Sequence, residues 1–504
     1  MTSVSQEFLP VVRWLRAVCP NGQLFSDSRE IGADGNAVFF AYEGDSADGR
    51  DYISKAIGNG AKAVVFEKEG FDWNPEWNVP HLGVMGLKAC AASVAAAYYD
   101  YPAQAMFVIA VTGTNGKTSC TQWLGQSLSA LGKKTAVIGT LGVTVFVNGQ
   151  GGVPEETGYT TPDQVQLQRI LAKLRKESVQ CVAMEASSIG IDQGRLNGIP
   201  IDVGLFTNFT RDHLDYHHDM ASYKAAKRKL FDWPGLKHAV LNLDDPMGRE
   251  LATALKTRIS LTGYTLENAD TAIPVLKACD IRHRTSGIEF SIDSFSGSAR
   301  IRTRLIGRFN ASNVLGVLGV LLAAGIHWDD AVRTLGDLLP PAGRMQQMGG
   351  KNAPLVVIDF AHTPDAMEKG LATLRHVANE RNGKLWCVFG CGGDRDQGKR
   401  PQMGSVSETA DFVIVTSDNP RSEDPKEIMK QIISGMEKEP QVYEDRAMAI
   451  LQAVRQASQN DVIFLAGKGH ETYQEIKGVK LPFADADHVA LALASRVTNK
   501  KVAV

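Results

Sequence analysis

The chain has 504 residues, too many for one hydrophobic core, so roughly two to four domains are expected. With 22% charged residues, 44% apolar residues and a net charge of −2, it lacks the basic footprint of a nucleic-acid binder and has an ordinary globular composition. Its seven cysteines show no repeated metal spacing; Cys387 and Cys391 form a lone C-x-x-x-C, and free thiols in a reducing cytosol are expected. No basic segment followed by an apolar one opens the chain, and no run approaches about eighteen unbroken apolar residues. A cytoplasmic monomer without a membrane span or nucleic-acid partner is expected.

In chain order, residues 1–103 carry short strands at AVFFAY (37–42) and KAVVFE (62–67), then an alanine-rich helix over 87–99 leading to Tyr101 and Pro102. The second block, 104–341, opens with MFVIAVTGTNGKTS, a buried strand running into a glycine turn and a helix. Apolar strands follow at 135–142, 179–187, 202–209 and 238–244, separated by helical segments, as in a parallel sheet covered by helices. Residues 257–305 break into shorter alternating segments such as GIEFSIDSF and predict an antiparallel patch. A helix over 310–324 and the stop at Leu339, Pro340 and Pro341 close the block.

The third block, 342–504, resumes the rhythm with strands at 354–360, 384–390, 411–417 and 461–467. Each ends in a Gly- or Asp-bearing loop, which gathers candidate ligand loops at one sheet edge. The expected fold class is α/β in three domains. They are a smaller N-terminal α/β domain, a central P-loop-type domain with a mostly parallel sheet, and a C-terminal Rossmann-like α/β domain.

Gly113-Thr114-Asn115-Gly116-Lys117-Thr118, with Ser119 behind it, follows a strand and opens a helix, the context a phosphate loop requires. Lys117 would reach the β/γ-phosphates and the Thr118 hydroxyl a Mg²⁺ ion; the plain alternative is a turn that lets strand and helix pack. Glu185, at the end of an apolar run, reads as a metal ligand or a helix-capping acid. His213, His217 and His218 form a surface loop or supply one ligand. Lys227, among Lys224, Arg228 and Lys229, belongs to a solvated basic face or, as a neutral amine, takes up CO₂ as a carbamate that could hold Mg²⁺. In TSDNPRSEDP (416–425), Asp424, Pro425 and Glu427 predict an N-cap, a first helical residue and a capping box, leaving Asp418-Asn419-Pro420-Arg421 as a loop at the ligand edge.

Together these residues resemble one family, the Mur ligases of peptidoglycan synthesis, over nearly the whole chain. The resemblance rests on TGTNGKT, MEASS (184–188), NFTRDHLDYH (208–217), the AK pair in YKAAKRKLF, GRFNASN (307–313) and AGR (342–344). DFAHTPDA (359–366), GGDRDQGKRP (392–401), DNPR and GKGHE (467–471) complete it. It implies an ATP-dependent ligase that phosphorylates the γ-carboxylate of UDP-N-acetylmuramoyl-L-alanyl-D-glutamate. The amine of an amino acid then attacks the acyl phosphate and phosphate is released. It further implies that Thr118 and Glu185 serve one Mg²⁺ while His213 and carbamylated Lys227 serve a second. Asn310 would contact adenine, and Arg344 and Asp359 would bring the third domain to ATP. Ser26, Ser28, Asp45, Ser46 and Ala47 would hold the uridine diphosphate. Thr160, Thr161, Ser187, Gln193 and Arg195 would hold the muramoyl dipeptide, although Tyr159 stands where some relatives carry asparagine.

The candidate amino acids are L-lysine and meso-2,6-diaminopimelate, which adds a carboxylate beside the distal ammonium. Arg421 offers that carboxylate a guanidinium fork, with Arg395, Asp418, Asn419, Pro420, Gly467 and Glu471 around it and Glu471 as acceptor for the ammonium. The resemblance assigns DNPR to diaminopimelate-adding members. The plain alternative for Arg421 is a salt bridge to Glu423 or Asp424. A ligase like folylpolyglutamate synthetase, or a P-loop ATPase that needs no amino acid, are the competing readings of the whole.

Overall fold

The computed structural model describes residues 6–32, 36–44, 47–269, 271–284 and 287–501. Three main sheets follow one another along the chain. The first pairs Gln23–Phe25, Ala37–Ala41, Ala61–Glu67 and His81–Val84, all parallel. The central sheet is built around Phe107–Thr112, flanked in parallel by Val203–Phe206 on one side and Cys181–Glu185 on the other. The third runs Gln346–Gly349, Leu355–Asp359, Val462–Ala466, Leu385–Phe389, Phe412–Thr416, Gln441–Tyr443, parallel except for its first strand. In the central strand Ile109 and Val111 face one apolar layer while Val108 and Ala110 face the other, so helices cover both faces.

Parallel pairing puts the C-terminal ends of successive strands on one edge, and there the loops that leave them converge. The helix Gln164–Lys176 joins the first sheet to the central one. Its Val165 is fully buried in the N-terminal core, and its cap residue Asp163 accepts from Ser26 Oγ at 2.6 Å and Tyr42 OH at 3.0 Å.

Several local expectations change. Residues 135–142 are not one strand: Thr135–Gly139 and Gly142–Val147 form an antiparallel pair, turned at Gly142 (φ 89°), where a Cβ would lie 2.3 Å from the Glu155 carbonyl. Within 257–305, Ser260–Thr265 joins the sheet in parallel, and only Val275–Arg284, Gly287–Ser294 and Gly297–Thr303 are antiparallel to one another. Asp424 caps the helix Pro425–Ile433 through the Lys426 N–H at 2.8 Å, but no capping box forms because the Glu427 carboxylate pairs with Lys430. Cys387 and Cys391 are core residues with free thiols. Among the described residues no helix is long and apolar enough to cross a membrane.

One ion pair in the third sheet is wholly enclosed. Arg446 and Asp485 side chains are 0% exposed and joined through Nε and Nη2, each at 2.8 Å, while Nη2 also donates to the Ala466 carbonyl at 3.0 Å. Ala466 ends the strand that leads into the GKGHE loop. Removing one partner leaves a buried charge, so Asp485→Ala should destabilise this unit by about 3–5 kcal/mol, measured as an earlier urea transition accompanied by faster hydrogen exchange in Val462–Ala466.

Candidate active site

Gly113 and Gly116 shape the loop between the strand Phe107–Thr112 and the helix Lys117–Ala130. Both have positive φ, 151° and 85°. A Cβ on Gly113 would lie 1.9 Å from Thr207 Oγ1, and one on Gly116 2.7 Å from Asn313 Oδ1. Asn115 is tied from behind, its N–H donating to Asn208 Oδ1 at 2.9 Å and its carbonyl accepting from Thr207 Oγ1 at 2.6 Å. The loop therefore holds the helix N-terminus open to an anion.

Two lysines meet at this loop. Lys117 Nζ donates to the Gly113 and Thr114 carbonyls, both at 2.9 Å, and Lys227 Nζ donates to the same Gly113 carbonyl at 2.9 Å. Lys227 is 1% exposed, with its ammonium 4.5 Å from the centre of the Tyr223 ring. Lys224 and Lys229 pair outward with Glu250 and Asp192, so the solvated-face reading holds for them and fails for Lys227. Burial, reinforced by the charge of Lys117, pushes the Lys227 amine well below its ordinary range against the pull of Asp212.

Glu185 ends its strand 2% exposed, accepting from the Thr140 N–H at 2.9 Å and the Thr140 hydroxyl at 3.1 Å. It caps no helix; Ser187 caps the next one, accepting from the Gly190 N–H at 3.0 Å. Of the three histidines, His217 is buried against Ser188, His218 is exposed, and His213 faces the cavity. Desolvation pushes His213 down to about 4, against the opposing charge of Asp212, so its imidazole is neutral near pH 7 and can act as a ligand. Asp212, despite its burial, is held well below the carboxylate range by its hydrogen bond with His362.

The third sheet reaches across the cleft. Arg344 Nη2 donates to Thr118 Oγ1 at 3.1 Å, its guanidinium packs 4.6 Å over Phe360, and its buried Nε has no partner. Burial raises the Asp359 carboxyl against the charge of Arg344, and Asp359 anchors the turn by accepting the Met345 N–H at 2.8 Å. Asn115 Nδ2 donates to Asp365 at 3.1 Å, and His362 lies 3.7 Å from Asp212. Between the two sheets lies a cavity of about 750 Å³.

At the far end of this cavity the DNPR and GKGHE loops interlock. Arg421 has φ 52° and exchanges backbone hydrogen bonds with Glu475 (3.0 Å) and Lys477 (2.7 Å). Its Nη1 donates to the Gly393 carbonyl at 2.8 Å and its Nε lies 3.3 Å from Glu475 Oε2, which leaves Nη2 unengaged. The expected alternative partners are otherwise committed: Glu423 pairs with buried Arg400 at 2.8 Å, and Asp424 caps its helix.

Comparison with known proteins agrees with this construction. Residues 24–99 match the catalytic domain of the Mur ligase family, 111–321 the Mur ligase middle domain, and 343–469 the glutamate ligase domain. The UDP-N-acetylmuramoyl-L-alanyl-D-glutamate–2,6-diaminopimelate ligase of Janthinobacterium sp. (strain Marseille) is 58% identical, over 97% of each chain. The chain belongs to the Mur ligase family. A solved UDP-N-acetylmuramoyl-L-alanyl-D-glutamate–2,6-diaminopimelate ligase shares its fold with a TM-score of 0.63 and 34% identity, covering 94% of this chain and 95% of that one. MurF ligase from Thermotoga maritima in complex with ADP, 18% identical over 95% and 98% of the chains, shares the fold with a TM-score of 0.65.

In this Mur ligase the cavity is lined by Thr114, Asn115, Gly116, Lys117, Thr118, Ser119, Asn310, Arg344 and Asp359. Thr160, Thr161, Glu185, Ser187, Arg195, His213 and Lys227 also line it, as do Arg395, Asp418, Asn419, Arg421, Gly467 and Glu471. Gln193 stands one shell behind, accepting from Arg195 Nε at 2.7 Å, and Arg195 Nη1 donates to the Thr161 carbonyl at 2.7 Å. Gly113 and Pro420 are also set back from the lining. Ser26, buried Ser28 and exposed Ala47 are not among the lining residues; Ser26 is spent on Asp163. Asp45 and Ser46 fall outside the described residues. Sequence reasoning passed over Asp212, His362, Thr140 and Lys468, although Asp212, His362 and Lys468 lie inside motifs already singled out.

The donors fit a hard divalent cation. Thr118 and Glu185 offer oxygens and His213 a neutral nitrogen. Among the described residues no three His, Cys, Asp or Glu side chains gather, so a cation here would keep waters or substrate oxygens, as Mg²⁺ usually does. The tightness of the loop yields a direct test. Gly113→Ala drives a methyl group into Thr207, and should weaken nucleotide binding by roughly tenfold or more, measured by titration calorimetry with ADP.

Proposed function

We propose that this Mur ligase uses ATP to join meso-2,6-diaminopimelate to the D-glutamyl γ-carboxylate of UDP-N-acetylmuramoyl-L-alanyl-D-glutamate, a step of peptidoglycan synthesis. The observation that carries this reading is Arg421, which lines the same cavity as Glu471 and the phosphate loop and keeps Nη2 outside its bonds to Gly393 and Glu475. The relatives named for diaminopimelate addition, at up to 58% identity, support it.

The nucleotide phosphates bind on the N–H groups of residues 114–119. Phosphoryl transfer to the γ-carboxylate and attack by the incoming amine both build negative charge on oxygen. Lys117 from the central sheet and Arg344 from the third neutralise that charge from fixed positions. Thr160, Thr161, Ser187 and Arg195 orient the acceptor dipeptide, with Gln193 steadying Arg195. Mg²⁺, held by Thr118 and Glu185 and at a second position by His213 and Lys227, would supply further neutralisation of phosphate charge. Lys227 suits that role as a carbamate: burial pushes its amine well below the ordinary range, and from the neutral form a nitrogen–carbon bond forms with CO₂ and a proton leaves to solvent. The N-terminal block would receive the uridine diphosphate end through Ser26, Ser28, Asp45, Ser46 and Ala47.

Specificity follows from the two charges at the far end. Arg421 takes the distal carboxylate through its Nη2 group, and Glu471 takes the distal ammonium. Arg421 is not the wholly buried, partnerless cation that a lysine-bound site would leave in the simplest picture. Glu475 and the Gly393 carbonyl already share it, so the discrimination drawn from Arg421 alone is modest.

The decisive assay measures phosphate release with the UDP-muramoyl dipeptide and either diaminopimelate, lysine or no amino acid. Turnover only with diaminopimelate is expected; turnover without any amino acid would refute a ligase, and preference for lysine would refute the specificity. Arg421→Lys should raise the KM for diaminopimelate by roughly 10- to 100-fold while leaving that for ATP unchanged. Lys227→Ala should abolish activity and regain part of it with added formate or acetate. Chelation of divalent cations should stop turnover reversibly.

A further inference from the structure

Lys468 is one of the few lysines with no exposed surface, and it does not line the cavity. Its Nζ donates to Asn419 Oδ1 at 3.0 Å and to Glu471 Oε2 at 2.9 Å. Those two acceptors sit on different loops, one after the strand Phe412–Thr416 and one after Val462–Ala466. The Glu475 N–H also donates to Asn419 Oδ1, at 2.9 Å. An ammonium and a backbone N–H can only donate, so both demand oxygen at that position, and the Asn419 amide has one permitted orientation. Its Nδ2 then donates to Glu471 Oε2 at 2.8 Å. Oε2 is thereby occupied by two donors, and Oε1 remains as the acceptor for substrate.

We propose that Lys468 is a positioning residue for amino-acid selection: it orients Asn419 and Glu471 to receive the distal ammonium, and its charge offsets Glu471. The second effect bears on the choice between substrates. Diaminopimelate brings a distal end of zero net charge, and lysine brings a cation. Removing the Lys468 charge makes the pocket more negative, which penalises lysine less.

The inference rests on the function proposed above, and one set of measurements separates the two. KM and kcat are determined for diaminopimelate, lysine, ATP and the UDP-muramoyl dipeptide in wild type, Lys468→Met, Glu471→Gln and the double variant, with thermal unfolding of each. If the wild-type protein adds no diaminopimelate, the functional reading itself falls. If it does, Lys468→Met should raise the KM for diaminopimelate about tenfold or more. KM for ATP and for the dipeptide should stay within about twofold, and the preference over lysine should shrink. In the Glu471→Gln background the same substitution should have little further effect, because the two act as one unit. An unchanged KM for diaminopimelate, a uniform fall in kcat for all substrates, or fully additive effects would overturn the positioning role. Should Lys468→Met not fold, Lys468→Gln, which keeps an amide donor group but no charge, takes its place in the same comparison.

Discussion

The Gly113 carbonyl accepts from two ammonium groups at once, and much of the site follows from that fact. Like charges held within hydrogen-bond reach of one oxygen repel strongly where water is scarce. The chain offsets them only partly, with Glu185 and Asp212 nearby and Arg344 adding a further cation from the opposite sheet. Such a place favours anions of high charge density, which is what a nucleotide triphosphate and an acyl phosphate provide. Under the carbamate proposed above, it also accounts for a lysine rather than an arginine at 227. An amine can lose its proton under this pressure and become a carbamate, whereas a guanidinium stays charged. Gly113 is essential to this arrangement, since a side chain there would run into Thr207.

The arrangement of the sheets is bound to the same chemistry. The contacts that bridge the central and third sheets at the site include Arg344 to Thr118, Asp365 to Asn115 and Thr210, Arg211 to Asp396 and His362 to Asp212. They register the two halves without locking them, so a ligand that touches both sides has leverage over the closure. The N-terminal attachment is different in kind. The helix Gln164–Lys176 puts Val165 into the N-terminal core and adds Gln166 to Glu30 at 2.9 Å, so apolar burial as well as hydrogen bonds joins those blocks.

What could be read from the sequence was set by how locally each feature is encoded. The phosphate loop was legible because glycine, lysine and threonine in a strand–turn–helix context leave few alternatives. The buried parallel strands were legible because they are continuous apolar runs. Short edge strands such as Gln346–Gly349 and Gln441–Tyr443 were not, since half-exposed polar residues carry no such signal. The turn at Gly142 was missed for the opposite reason: the apolar run continues through it, and only the φ of one glycine breaks it. Long-range partners were the least legible. Nothing local announces that Arg421 pairs with Glu475 rather than with Glu423, or that Glu427 turns to Lys430 instead of completing a capping box. Lys227 shows both limits. Its neighbours advertise a solvated face, and only the inward orientation of one side chain among four basic residues sets it apart.

The amino-acid end of the cavity suggests why both ends of the substrate's distal group must be charged. Two of its ion pairs are made within the protein, Arg421 with Glu475 and Lys468 with Glu471, and Arg395 and Asp418 add one charge of each sign, so the pocket is close to neutral before substrate arrives. Each pair still has capacity to spare: Arg421 has its Nη2 group, and Glu471 has its second oxygen. A zwitterion fills both without adding net charge to a partly desolvated space. A lone ammonium fills one and leaves the other cation–anion pair unextended, while adding net positive charge to the pocket. Selectivity on this account is shared between a fork for carboxylate and a balance of charge. That division fits the modest burial of Arg421, which a mechanism resting on an orphaned arginine alone does not.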